Sequence, residues 1–279
     1  MRLRRAVADR AFLVYSLVTA VTLLAVILHI AFSSILSLAR VLVAEGLGFF
    51  VLPPGEPGGS VGGLGPVILN TAIMTALALA FSAPVGVAVG VYLGEERMSR
   101  LASIASATVQ MLAEIPTVII GLFVFATICL SLKSYSLLAG AVSLAITVLP
   151  FVIEQVKEAV TSIPEEYREA AYALDLPRWK TVWLVLVPMC RTGIASGVLL
   201  GYTKALGETA PVLLTAGFAL YGFYGLTGPS STLSLVVYRF AMMPYENLRS
   251  LAWAASGLLL IASVALTYLV GRLAGEVKF

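Results

Sequence analysis

The sequence predicts an all-α integral membrane protein with about six transmembrane helices and a cytoplasmic loop that folds into short helices of its own. Three observations predict it. Of 279 residues, 59% belong to the apolar AVILMFWYC set and only 12% are charged, with a mean hydropathy of +0.98. Soluble domains run nearer half apolar and a quarter charged, so one globular core cannot hide this much oily surface and the lipid bilayer is its natural solvent. Stretches of 18 or more residues almost free of charge recur along the chain, and hydrocarbon forces every backbone N–H and C=O in them into a helix. Finally, Lys and Arg are unevenly spread between alternate loops, thirteen against four. That asymmetry is the positive-inside pattern, so the net charge of +3 reports orientation and not a nucleic-acid partner.

The first span is placed near 11–35, behind Arg2, Arg4 and Arg5. Its apolar run is too long for a signal-peptide core and lacks a small-residue cleavage site, so it is read as uncleaved. His29, the single histidine, then falls near its outer end as an interfacial side chain. Residues 53–66 are dominated by Gly and Pro and hold no regular element. Further spans are placed near 66–92, 103–130, 135–153, 192–220 and 250–272. The basic loops are the N-terminus, the 93–102 turn with Arg97 and Arg100, the 154–191 loop, and the tail with Arg272 and Lys278, which makes both termini cytoplasmic. The outer segment 221–248 carries Tyr221, Phe223, Tyr224, Tyr238, Phe240 and Tyr245, suited to a membrane interface. Cys129 and Cys190 fall near opposite faces and are too far apart to pair. No fixed-period repeat or interdomain linker is visible, so residues 1–279 read as a single transmembrane domain.

Several spans depart from a simple anchor. Pro84, Pro116, Pro150 and Pro211 lie inside apolar runs, and each leaves the carbonyl four residues back (Ala80, Leu112, Ile146, Gly207) without its usual partner. Such helices are expected to bend or unwind. The fifth span holds Gly193, Gly197, Gly201 and Ala205 in a four-residue row that admits a close neighbour. It also holds Lys204 and Glu208, an i, i+4 pair. A charge at mid-bilayer costs roughly 2.5–3.5 kcal/mol even on the lenient insertion scale, so neither side chain should face lipid. One reading has the two neutralise each other inside the bundle; the other has them line a substrate path with Thr209. Glu114, two residues before Pro116, is a further candidate for that path.

The 154–191 loop is strongly patterned. Ser162 and Glu165 fit a capping box, with Pro164 in the first turn. Tyr167, Ala170, Ala171 and Leu174 recur at i, i+3, i+4 and i+7, predicting a short amphipathic helix. Asp175 is expected to cap a second helix running from Pro177 to about Pro188.

Glu169-Ala170-Ala171 followed by Val185-Leu186-Val187-Pro188 resembles the EAA loop of ABC-importer permeases, with matching spacing and Asp175 where that family usually has Gly. The resemblance implies a type I importer permease fold whose loop, through Tyr167, Glu169, Ala170, Ala171, Asp175 and Pro188, enters a cleft of an ATPase subunit. Lys204-Ala205-Leu206-Gly207-Glu208-Thr209-Ala210-Pro211 is similar to the corresponding segment of phosphate permeases of the PstA type, with Lys204 replacing their usual Arg. Sulfate and molybdate permeases typically carry Gly-Glu-Phe-Gly there. Gly62-Gly63-Leu64-Gly65-Pro66, Ile115-Pro116-Thr117, Gly121-Leu122-Phe123 and the Tyr245 to Trp253 region extend the similarity over about 62–272.

What the resemblance implies is a cell-membrane subunit for phosphate uptake. Its partners would be a second permease of the PstC type, two ATPases of the PstB type and an extracytoplasmic phosphate-binding protein. The chain has no Gly-x-x-x-x-Gly-Lys-Ser/Thr, so ATP and Mg are expected on the partner ATPases, with no cofactor or metal in this chain. Alternative readings are a permease for another oxyanion, an ATPase-independent channel or carrier, and a membrane-embedded enzyme.

Overall fold

The computed structural model describes residues 2–96 and 99–275. Arg97 and Lys278, both counted in the charge asymmetry, lie outside the described residues. Eleven α-helical segments and one short 3-10 helix, Gly46–Phe50, are described, and among the described residues no strand beyond an isolated bridge between Pro54 and Gly62. The α-helical segments are α1 (Arg2–Glu45), α2 (Gly65–Glu95), α3 (Arg100–Glu114), α4 (Thr117–Leu132), α5 (Leu137–Thr161) and α6 (Glu165–Ala173), followed by α7 (Arg178–Met189), α8 (Arg191–Gly207), α9 (Ala210–Thr215), α10 (Leu233–Ala241) and α11 (Glu246–Gly275).

Four of these, α1, α2, α5 and α11, are long and apolar enough to cross a membrane unbroken. The pairs α3–α4 and α7–α8 pass the same test but bend by 94° and 71°, which makes six crossings if each bent pair counts as one. Local chemistry sets several starts. The hydroxyls of Ser99 and Ser136 accept from the backbone N–H of Ala102 and Ala139, each at 3.0 Å, and so cap α3 and α5. Pro66 occupies the first turn of α2, where a missing N–H costs nothing.

The first helix runs ten residues past the expected end, to Glu45, because nothing between 35 and 45 breaks a helix. His29 consequently lies well inside α1, exposed on its surface, and not at an outer end. The Gly/Pro-rich link between α1 and α2 is irregular but pinned. Asn247 at the start of α11 donates to the carbonyls of Glu56 and Ser60 and accepts from the Gly58 N–H, and Glu45 accepts from Gly62, whose φ of +69° requires glycine.

The bundle is built around α5. Gly86, Gly90 and Gly94 of α2 lie against Val152, Val156 and Val160, so close that a Cβ on each glycine would stand 2.7 Å from a valine carbon. On another side of α5, Gly193, Gly197 and Gly201 of α8 press on Ala159, Gln155 and Val152 at 2.6–2.8 Å by the same measure. The neighbour of the fifth-span glycine row is therefore α5, and a second such row on α2 faces the same helix. One apolar cluster joins α1, α2, α10 and α11 around Phe49, Leu64, Val67, Phe240 and Leu251. Another joins α2, α5, α9 and α10 around Met74, Leu144, Val212 and Leu235.

Two expectations need correction. Pro84 and Pro150 sit within unbroken α2 and α5; only Pro116 and Pro211 coincide with breaks. Segment 221–248 is not simply an outer loop. It contains α10, whose Leu233, Ser234, Leu235, Val236 and Phe240 are buried, and Phe240 meets Phe218 edge-on at 6.0 Å instead of facing an interface.

Candidate functional site

The fifth span does not run as one helix to 220. Its helix α8 ends at Gly207, Glu208 is extended (φ −71°, ψ 132°), and α9 restarts at Ala210 with Pro211 in its first turn. Pro211 has no N–H to offer Gly207 and its ring excludes a continuous helix, while an acceptable partner for the exposed backbone stands nearby. Ser234 of α10 donates its hydroxyl to the Glu208 carbonyl at 2.8 Å. A hydroxyl from a supposed outer loop thus fixes the break, a contact that no local pattern in 204–211 announces.

Lys204 occupies the last turn of α8, where a cation is favoured by the helix dipole. Its Nζ lies 3.6 Å from Glu208 Oε1 and 6.0 Å from the Phe151 ring centroid on α5, with side chains 41% (Lys204) and 16% (Glu208) exposed. The two expected partners are brought together, although not as i, i+4 neighbours on one helical face, because Glu208 has left the helix. At 3.6 Å the pair is an ion pair without a tight hydrogen bond.

Thr209 goes elsewhere. With Ser34, Gly207, Ser234, Ser256 and Ser263 it lines a cavity of about 330 Å³ between α1, α10 and α11, and Lys204 and Glu208 are not among the residues lining it. Glu114 ends α3 at the 94° bend, exposed, and among the described residues no basic group pairs with it. Broken spans three and five nevertheless touch: a Cβ on Gly121 of α4 would stand 2.8 Å from Pro211 Cα on α9.

The 162–188 segment folds as two helices meeting at a bend, by means different from those expected. Ser162 does not form a capping box; its hydroxyl donates to the Ala159 carbonyl at 2.9 Å and closes α5, while Pro164 precedes α6 with no side-chain cap. Pro164, lacking an N–H and fixed in φ, starts the helix and leaves Glu165 free to reach Arg168. Nor does Asp175 cap α7. It takes the left-handed conformation (φ +53°) just beyond α6, with its N–H on the Tyr172 carbonyl and that of Leu176 on the Ala171 carbonyl, and Pro177 precedes α7. These two bonds form a Schellman motif, in which Gly is the usual occupant of the left-handed position. The second helix does end about where expected, at Met189 next to Pro188, and a π-helical turn over Thr181–Leu186 precedes that proline.

On α6, Tyr167, Glu169 and Ala170 are exposed and Ala171 is buried, and Leu174, Asp175 and Pro188 beyond it are exposed. Most of the anticipated apolar stripe therefore points away from the bundle. What turns inward is Arg168, which sequence reading passed over. Its Nε donates to Glu95 Oε2 at 2.9 Å, Nη1 to the Ile163 carbonyl at 2.9 Å, and Nη2 to the Val160 carbonyl at 3.1 Å, with Glu165 Oε2 at 3.3 Å from Nη1. The Arg168 and Glu95 side chains are only 5% and 6% exposed. Removing one partner of such a buried pair costs roughly 3–5 kcal/mol. Next to it, Arg178 Nη1 meets Glu96 Oε1 at 2.7 Å, with side chains 59% and 26% exposed.

A family profile described as the binding-protein-dependent transport system inner membrane component matches residues 86–277. The phosphate transport system permease protein PstA of Pasteurella multocida is 34% identical over 207 residues, 74% of this chain and 72% of that one. A probable phosphate transport system permease protein PstA of Methanocaldococcus jannaschii is 32% identical over 266 residues, covering 94% and 92%. Among solved structures, the MetNI methionine ABC transporter in an inward-facing form shares the fold with a TM-score of 0.65 at 21% identity, over 77% of this chain and 96% of that one. An amino acid ABC transporter with histidines gives 0.56 at 17% identity, over 76% and 92%. The chain is a multi-pass membrane protein belonging to the binding-protein-dependent transport system inner membrane components, among the permeases of the PstA type.

Proposed function

We propose that this chain is the permease subunit of an ATP-driven phosphate importer. The observation that carries the reading is the break in the fifth span, where Lys204 and Glu208 meet loosely inside an otherwise apolar helix path. An ionised pair in such a place is a functional site by default, and a half-exposed cation there attracts an anion. The relatives named phosphate transport permeases supply the choice of anion. Glu208 holds Lys204 while the path is empty and yields it to phosphate in transit, so attraction never becomes a trap.

Transport energy comes from partners in this reading. Two ATPase subunits bind ATP and magnesium, and the exposed face of α6, with Tyr167, Glu169 and Ala170, seats in one of them. A second permease of the PstC type encloses the path, and an extracytoplasmic binding protein delivers phosphate at the face opposite α6. Both termini lie on the α6 side, as the basic loops require.

The test is uptake in proteoliposomes with phosphate, sulfate and molybdate in competition, together with co-purification of an ATPase. Phosphate alone should compete, and an ATPase should accompany the chain. Competition by sulfate instead would move the reading to another oxyanion, and uptake without any ATPase would make the chain a channel or carrier. Glu208→Gln should lower phosphate uptake about tenfold with assembly intact; unchanged uptake removes Glu208 from the path.

A further inference from the structure

We propose that the consecutive acids Glu95 and Glu96 at the end of α2 form a two-pronged clamp on the 162–188 segment, and that Arg168 is the positioning residue that carries its movement into the bundle. The inference rests on the reading of that segment as the ATPase dock, and concerns what lies behind the docking face instead of the face itself.

The two prongs differ in kind. Arg168 commits donors to Glu95, to the Ile163 and Val160 carbonyls and to Glu165, which joins α6 to the ends of α2 and α5 at one point. That pair is 5% and 6% exposed, so water and salt screen it little. The planar guanidinium fork fixes angle as well as distance. Arg178 and Glu96, 59% and 26% exposed, join α2 to α7 through a pair that water can replace. Thus α6 is held rigidly to the α2–α5 pair, whereas α7 is braced by a strut that can let go.

Behind the rigid prong no loose joint intervenes. The valines of α5 are seated in the glycine row of α2, and Ala159, Gln155 and Val152 meet that of α8. One residue beyond Val152, Phe151 faces Lys204 at 6.0 Å. A displacement of α6 therefore arrives at the Lys204–Glu208 pair by way of close-packed helices, provided Arg168 is in place.

The test uses the full chain assembled with its ATPase and reconstituted with the binding protein, reading inorganic phosphate uptake and ATP hydrolysis together. Arg168→Met keeps most of the stem and should leave the ATPase bound while uptake per ATP falls about tenfold. Arg178→Met should change that ratio less than about threefold. In the solubilised permease alone, hydrogen exchange of amides 163–175 should quicken about tenfold in Arg168→Met and hardly at all in Arg178→Met. An assembled Arg168→Met complex with normal uptake per ATP overturns the proposal. Should that variant fail to accumulate, Glu95→Gln decides, since it removes the charge and leaves the carbonyl bonds. It should lose coupling about threefold, and normal coupling in it overturns the proposal equally. A wild-type chain that captures no ATPase removes the docking reading and the stroke with it; the exchange measurement, which needs no partner, keeps that result distinct from failure of the clamp.

Discussion

Asp175 occupies a position that Gly would fill at lower cost. An L-residue in the left-handed region pays roughly 1–2 kcal/mol, somewhat less for Asp, whose short polar side chain bonds locally. Asp175→Gly is therefore expected to stabilise the solubilised permease by about 1 kcal/mol, and Asp175→Val to destabilise it by a similar amount, measured as a shift in thermal inactivation. The departure from the family's Gly was visible in the sequence; that it marks the end of α6 and not the start of α7 was not, because a cap and a left-handed terminator use the same residue types. Lys204 and Glu208 were legible because ionised groups in apolar stretches are conspicuous. Arg168 and Ser234 were not. An arginine in a polar loop and a serine near a membrane face look ordinary until Glu95 and the Glu208 carbonyl, both far away in sequence, are brought to them.

Helices were read well where composition decides and poorly where contacts decide. The apolar runs are all helical, four of them unbroken and two bent or broken, since hydrocarbon permits little else. Whether a proline breaks one depends on the contacts around it, such as the Ser234 hydroxyl on the Glu208 carbonyl, so Pro84 and Pro211 look alike in sequence and behave differently in the fold. The glycine row of α8 was legible by its period, but its neighbour was not. The row on α2 has the same period, and its direct contact with valine side chains predicts that it matters as much. Gly90→Leu and Gly197→Leu should each prevent close approach to α5, an overpacking penalty of about 1–3 kcal/mol or more. The expected outcome is a sharp fall in folded yield by size-exclusion chromatography, whereas Gly271→Leu, with open space around it, should be tolerated.

For the whole molecule, the orientation taken from basic residues predicts a labelling pattern. Both native cysteines are buried and unpaired, so background labelling is low. A cysteine at exposed Ser60 should react with a membrane-impermeant maleimide in intact cells, and one at exposed Glu166 only after permeabilisation. The reverse pattern would invert the topology. The central position of α5 also bears on biogenesis. Its two glycine-lined neighbours lie on either side of it in chain order, so α2 is already in the bilayer when α5 leaves the ribosome, and α8 comes later. The newborn α2–α5 pair, packed parallel with α3 and α4 between them in the chain, must meanwhile leave the surface destined for α8 against lipid, and α8 closes the structure as its keystone.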